Sequence, residues 1–200
     1  MPPGAHILAG FSLGFHHRQQ LTRLLDNAAG RCSLLNLDPQ RLKAEGVSTL
    51  ALDFDGVLSP HGSPAPLPEA REWLERCVTV FGNRNVFILS NKPTEERRHW
   101  FEQHFPAMRF IGNVRKKPFP DGLNRIGELA GVPPSSILMV DDRLLTGCLA
   151  AILAGARAAY IHPPYVSFRQ RPFSELFFML LRSMERIFVR LARLFPDSTT

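Results

Sequence analysis

Five short apolar runs punctuate the chain, and the intervals between them carry apolar residues three and four positions apart. The runs cover Thr49 to Phe54, Asn85 to Leu89, Met108 to Ile111, Ser136 to Val140 and Ala158 to Ile161. Each is brief and apolar at successive positions, the pattern of strands buried on both faces of a parallel sheet. The intervals read as helices. Leu67 to Phe81 sets Leu74, Val78 and Phe81 on one stripe, and Thr94 to His104 and Asp121 to Ala130 follow. Leu144, Leu145, Cys148, Leu149, Ile152 and Leu153 repeat at helical spacing as a core stripe. A short helix opens at Asp38-Pro39, with Asp38 as N-cap and Pro39 as first residue, while Gly46 and Gly155 close helices. Parallel neighbours need crossover helices. The alternation therefore predicts an α/β fold: a Rossmann-like three-layer core, a parallel sheet of about five strands, and all strand C-terminal ends on one edge. Only eight residues separate Leu58 from Leu67, and a helix, a strand and a loop use up Asn91 to Lys116, so neither interval holds a large cap domain.

Four of the five predicted strands lead to polar residues that a core does not need. The first delivers Asp53 and Asp55, which share one face if the strand continues and can reach one bound group as it opens into the loop. Gly56 then permits a turn. The second ends in Ser90-Asn91, the third leads to a loop carrying Arg115, Lys116 and Lys117, and the fourth ends in Asp141-Asp142. Taken singly, Ser90 and Asp141 could cap helices and Lys117 could be a solvated charge. Placed together on the edge where open α/β sheets bind ligands, they point to one site. His61 lies in the proline-rich loop Ser59 to Pro66, where a histidine is normally exposed.

Asp53-Phe54-Asp55-Gly56-Val57-Leu58, Ser90, Lys117-Pro118 and Asp141-Asp142, in that order after strands, resemble the four motifs of the haloacid dehalogenase (HAD) superfamily of phosphohydrolases. The likeness covers about residues 48 to 161. More narrowly, the lead-in from Leu37 to Val47, the Leu-Ser-Asn of the second motif and the Asp142 to Gly147 segment resemble the capless YqeG and phosphatidylglycerophosphatase branch. Gly56-Val57 and Gly147 depart from that branch, which has Asn-Thr and an acidic residue there. The resemblance implies a magnesium-dependent phosphomonoesterase. Asp53 is its nucleophile; Asp55 is a general acid and base with a raised pKa; Ser90, Asn91 and Lys117 bind the substrate phosphate; and Asp53, Asp55 (through its backbone carbonyl), Asp141 and Asp142 hold Mg2+. A lipid phosphate such as phosphatidylglycerophosphate, a soluble metabolite or phosphoprotein substrate, and a non-catalytic membrane scaffold all stay open.

Composition narrows the partners. The 200 residues carry a net charge of +6, with lysine only at Lys43, Lys92, Lys116 and Lys117, which favours an anionic partner. No groove-reading motif accompanies the charge, so nucleic acid is not expected. The organisation is an N-terminal extension (1–32) with no assigned chemistry, a phosphatase domain (33–165) and a basic tail (166–200). The adjacent His16-His17 reads as solvated. Cys32, Cys77 and Cys148 show no metal or disulfide spacing and fit a reducing, cytoplasmic compartment. From Ser174 to Phe195, apolar residues alternate with Arg182, Arg186, Arg190 and Arg193, an amphipathic helix. It fits an anionic membrane surface, giving peripheral attachment on the inner face, or equally packing on the domain with its basic face in solvent, or self-association.

Overall fold

The computed structural model describes residues 5–28, 32–91, 94–169 and 171–195; residues 1–4 and 29–31 of the expected extension, residues 92–93, and residues 170 and 196–200 of the expected tail lie outside them. Helices α1 (Ala5–His16) and α2 (Arg18–Asn27) precede α3 (Pro39–Ala44) and β1 (Thr49–Leu52). Then come α4 (Pro68–Phe81), β2 (Val86–Ile88), α5 (Glu95–His104), β3 (Arg109–Phe110), α6 (Asp121–Ala130), β4 (Ile137–Asp141), α7 (Leu149–Ala154), β5 (Arg157–Tyr160) and α8 (Pro172–Ala192). Asp38 caps α3 as its sequence predicts, its carboxylate accepting the Gln40 amide at 3.1 Å.

The five strands lie in the order β3-β2-β1-β4-β5, every pairing parallel. Their side chains divide between two faces. Leu50, Leu52, Val86, Ile88 and Val140 pack beneath Trp73 and Leu74 of α4 and Phe101 of α5. Ala51, Phe87, Ile137 and Met139 pack beneath Leu123 and Ile126 of α6 and Ala150 and Ala151 of α7. Two buried faces explain why the strands show no polar alternation. β1, β2 and β3 are shorter than the apolar runs that encode them, whereas β4 and β5 match theirs in length with a shift of one residue. β1 stops at Leu52, although the Asp53 amide still donates to the Val140 carbonyl at 2.9 Å, and the chain then turns at Gly56, whose φ is 84°.

A third apolar cluster lies beyond the sheet's β5 side, joining Leu21 and Leu25 of α2, Leu144, Cys148 and Leu149, Tyr160 of β5 and Val189 of α8. Cys77 and Cys148 are fully buried, as expected. Helix α1, which sequence patterning missed, lies against Leu145 through Gly10 and Gly14; a Cβ at Gly10 would stand 2.9 Å from the Leu145 carbonyl oxygen. Leu144–Cys148 forms a π-helical turn before α7 rather than its first α-helical turn.

Helix α8 packs on the domain, but not with the solvated basic face that one of the sequence readings gave it. Glu175, Arg182 and Glu185 face inward at 0, 3 and 3% exposure, whereas Phe173, Phe177, Leu180, Met184, Ile187, Leu191 and Leu194 face solvent. The basic face does not lie in solvent as a stripe, because its central arginine is paired within the domain. None of the described helices is long and apolar enough to cross a membrane.

Because Leu21 is fully buried in the third cluster, Leu21→Ala is expected to lower unfolding free energy by about 2–5 kcal/mol. The loss would appear as a shift of a single denaturant transition. An unchanged midpoint would mean that α2 contributes nothing to the core.

Candidate active site

The sheet order reverses between β1 and β4, where doubly wound sheets open a crevice. Asp53, Asp55, Ser90, Asn91, Lys117 and Asp142 line one cleft there, of about 440 Å³. That is the size of a small-molecule site. Asp141 lies behind them with no exposure. Residues separated by some ninety positions thus meet because three parallel strands and one loop release them at the same edge.

Lys117 is the hub. Its ammonium lies 3.0 Å from Asp53 Oδ1 and 2.6 Å from Asp141 Oδ2, all three side chains being enclosed. Asp141 uses its other oxygen to accept the Arg143 amide at 2.9 Å. Burial alone would depress the Lys117 ammonium, but Asp141 and Asp53 together outweigh it and hold the charge on. Burial pushes Asp53 up to about 7; Lys117 opposes that rise, while Asp141 and Asp55 add to it. Burial raises Asp141 as well, again against Lys117. Asn91 faces the same loop: its side-chain carbonyl accepts the Lys117 amide at 2.9 Å, fixing the backbone that carries the ammonium. Ser90 is buried at the cleft wall.

Asp55 differs from expectation. Burial would raise its pKa, but Arg97 forms a two-pronged pair with it, at 2.9 and 2.6 Å, and the Gly62 amide donates to it at 3.0 Å, so the carboxyl is held below the usual range. The raised pKa expected from surrounding acids is therefore wrong: the nearest charge is a cation. Arg97 itself is 3% exposed and stacks on Phe54 with 4.0 Å to the ring centre.

Helix α8 closes the other side. Arg182 Nε donates to Asp142 Oδ2 at 2.5 Å, with both side chains buried. Burial pushes Asp142 up to about 6; Arg182 opposes the rise and Asp53 adds to it. Glu185 pairs with Arg143. Glu175 accepts the His61 backbone amide at 3.0 Å, and the His61 ring stacks on Phe178 with 3.8 Å between centres. His61 is thus enclosed by α8, not exposed on its loop. Burial, aided by Arg182, lowers its pKa against the pull of Asp55 and Glu175.

The Asp53, Asp141 and Asp142 carboxylates come within 4.8 Å of one another, a set able to hold a metal ion. Among the described residues the Asp55 carboxylate is not part of it. A Cβ on Gly56 would overlap the Asp142 carboxylate, and one on Gly147 would overlap that of Asp141. The acidic side chain that the resembled branch carries where this chain has Gly147 would therefore have no room beside Asp141.

Sequence reasoning missed Arg97, Arg143, Glu175, Arg182 and Glu185. For the last three a signal existed: Glu175, Arg182 and Glu185 are seven and three apart, so both of α8's glutamates share a face with the arginine between them.

A family model described as haloacid dehalogenase-like hydrolase matches residues 14–155. No curated protein matches the chain. Among solved structures, an uncharacterized protein from Corynebacterium glutamicum is similar at 20% identity and TM-score 0.46, over 69% of this chain and 96% of that one. A HAD-superfamily hydrolase from Ehrlichia chaffeensis is similar at 14% identity and TM-score 0.39, over 68% and 98%. A HAD family enzyme from Bacteroides thetaiotaomicron, in complex with magnesium and inorganic phosphate, is similar at 13% identity and TM-score 0.36, over 57% and 94%.

Removing Arg182 leaves Asp142 buried without its partner. Arg182→Met is expected to cost about 3–5 kcal/mol of stability at pH 8. The loss should be smaller at pH 5, below the Asp142 pKa of about 6, where the carboxyl is protonated and no charge is stranded. Thermal or denaturant unfolding at the two pH values measures it, and an equal loss at both would show that the pair is not the cause.

Proposed function

The chain belongs to the haloacid dehalogenase-like hydrolase family, and we propose that it is a magnesium-dependent phosphomonoester hydrolase working through an aspartyl-phosphate on Asp53. The observation that carries this reading is the convergence of the Asp53, Asp141 and Asp142 carboxylates with Lys117 set between two of them. Phosphate esters repel nucleophiles with their own negative charge, so a site that cleaves them must gather cations around the transferring group.

The donors are all oxygens, which suits a hard cation. Asp53 and Asp142 would hold magnesium together with the backbone carbonyl of Asp55. Asp141, whose oxygens accept bonds from Lys117 and the Arg143 amide, supports them from behind. When bound, the ion supplies positive charge that lets the phosphoryl group approach a carboxylate. An Asp53 oxygen then attacks phosphorus as the ester oxygen departs, and attack by water on the same phosphorus releases phosphate and regenerates Asp53. Lys117 and Ser90 hold the transferring oxygens, and Asn91 fixes the backbone of Lys117. With Arg97 in place, Asp55 is set as the base that takes the proton of the attacking water. Protonating the leaving oxygen in the first step requires the Arg97 pair to open.

The make-up of the cleft lining supports one reading of the substrate class. Phe177, Phe178 and Leu181 of α8 line the cleft together with its charged residues. A phosphate with an apolar body beside it, such as phosphatidylglycerophosphate or a related lipid phosphate, fits that pairing. Peripheral attachment to the cytoplasmic face of a membrane and a role in phospholipid metabolism belong to the same reading.

Asp53→Asn is expected to cut kcat by about 10⁴-fold or more while the fold persists, and a chelator should abolish wild-type turnover reversibly. A panel pairing phosphatidylglycerophosphate with sugar, nucleotide and phosphopeptide esters checks the substrate class. Preference for a soluble ester would move the substrate to that class. Wild-type turnover in the Asp53 variant would remove the mechanism itself.

A further inference from the structure

Helix α8 turns Glu175, Arg182 and Glu185 in beside Val189 and Ala192, and most of its large apolar side chains out, the reverse of a helix packed on a water-soluble domain. The outward positions Phe173, Phe177, Leu180, Met184, Ile187 and Leu191 are spaced four and three apart along the helix, and Leu194 just beyond it continues the spacing. Phe173 is 87% exposed, Leu180 60% and Leu194 71%. At the far end Phe15 of α1 meets Phe195, with 5.8 Å between ring centres, so α1 extends the apolar surface. A continuous exposed face of this kind marks a surface that something covers.

Charge decides what covers it. Spacing of four and three suits a partner helix as well as a bilayer. A pair of such helices needs complementary charges at its margins, and this one lacks them: both of α8's glutamates are buried against the domain, while Arg171, Arg190 and Arg193 stay exposed. Helix α1 contains no acidic residue either. A second copy would bring arginines toward arginines. An anionic headgroup layer would meet them with opposite charge while its acyl boundary took up the apolar side chains.

We infer that the outer face of α8 docks on an anionic lipid bilayer. Phe177 belongs both to that face and to the wall of the catalytic cleft, so docking sets the cleft mouth at the headgroups. This deepens the lipid-phosphate reading and rests on it only for what enters the cleft; the docking itself stands on the exposed face and its arginines.

The test is vesicle flotation of the full chain, with wild-type Asp53 and with Asp53→Asn. The vesicles are of phosphatidylcholine alone or phosphatidylcholine mixed with phosphatidylglycerol. Binding to the mixed vesicles is expected to exceed binding to the neutral ones by roughly tenfold or more, whether or not Asp53 is present. Combining Leu180→Ser, Ile187→Ser and Leu191→Ser, all on the exposed face, should abolish flotation with the thermal transition unchanged. Arg190→Glu with Arg193→Glu should erase the preference for anionic lipid. Equal binding to both vesicle types, or binding that ignores these variants, overturns the inference. So does light scattering that gives a dimer in solution which the triple serine variant converts to monomer. Docking with no turnover of any lipid phosphate would retain the surface and remove only the substrate.

Discussion

The ammonium of Lys117 lets two carboxylates lie side by side at the centre of the sheet edge. Asp53 and Asp141 sit in a setting where burial by itself pushes protons onto both. Lys117 is as enclosed as they are, so its charge acts through little water and its attraction to each is far stronger than that of an exposed pair. Separate either acid from it and that acid becomes an uncompensated interior charge. The shortest strand, β3, only two residues long, leads to the loop that delivers this cation, and Asn91, from the loop after β2, holds that loop's backbone. Precision at the cluster thus depends on a bond between two loops more than on the sheet itself.

The remaining acids are neutralised by the same logic from two helices. Arg97 comes from the first turn of α5 and Arg182 from the middle of α8. Helix α8 lines the cleft, held against the catalytic loops by Arg182 on Asp142, Glu185 on Arg143 and Glu175 on the His61 amide. A buried charge needs its partner close, and three such contacts on one face set both the rotation of the helix and its register along the cleft. The apolar outer side is the geometric remainder of that choice.

Much of the fold was legible in the sequence because short two-sided apolar runs separated by helical stripes admit few arrangements other than a parallel sheet. The gathering of Asp53, Ser90, Lys117 and Asp142 at one edge follows from that topology alone. The rotation of α8 was not legible. Helical spacing says which residues share a face, and the usual rule turns the apolar face inward; here ion pairs with Asp142 and Arg143 win. Arg97 was hidden among Glu95, Glu96 and Arg98, with nothing in the local pattern to mark the residue that reaches Asp55. Helix α1 escaped notice because its contact with Leu145 runs through Gly10 and Gly14, which carry no side chain to register in a hydrophobic pattern.

The enclosed ion pairs also redistribute the protein's charge. Asp53, Asp55, Asp141, Asp142, Glu175 and Glu185 are gathered within, against Arg18, Arg97, Lys117, Arg143 and Arg182, so acids outnumber bases in this set by one. Among the described residues the solvent-facing side chains then carry a net positive charge. A distant ion senses only the total, whereas a polyanion within a Debye length senses the richer near field. Retention on a cation exchanger and clinging to stray nucleic acid during purification should both exceed what the formal charge suggests.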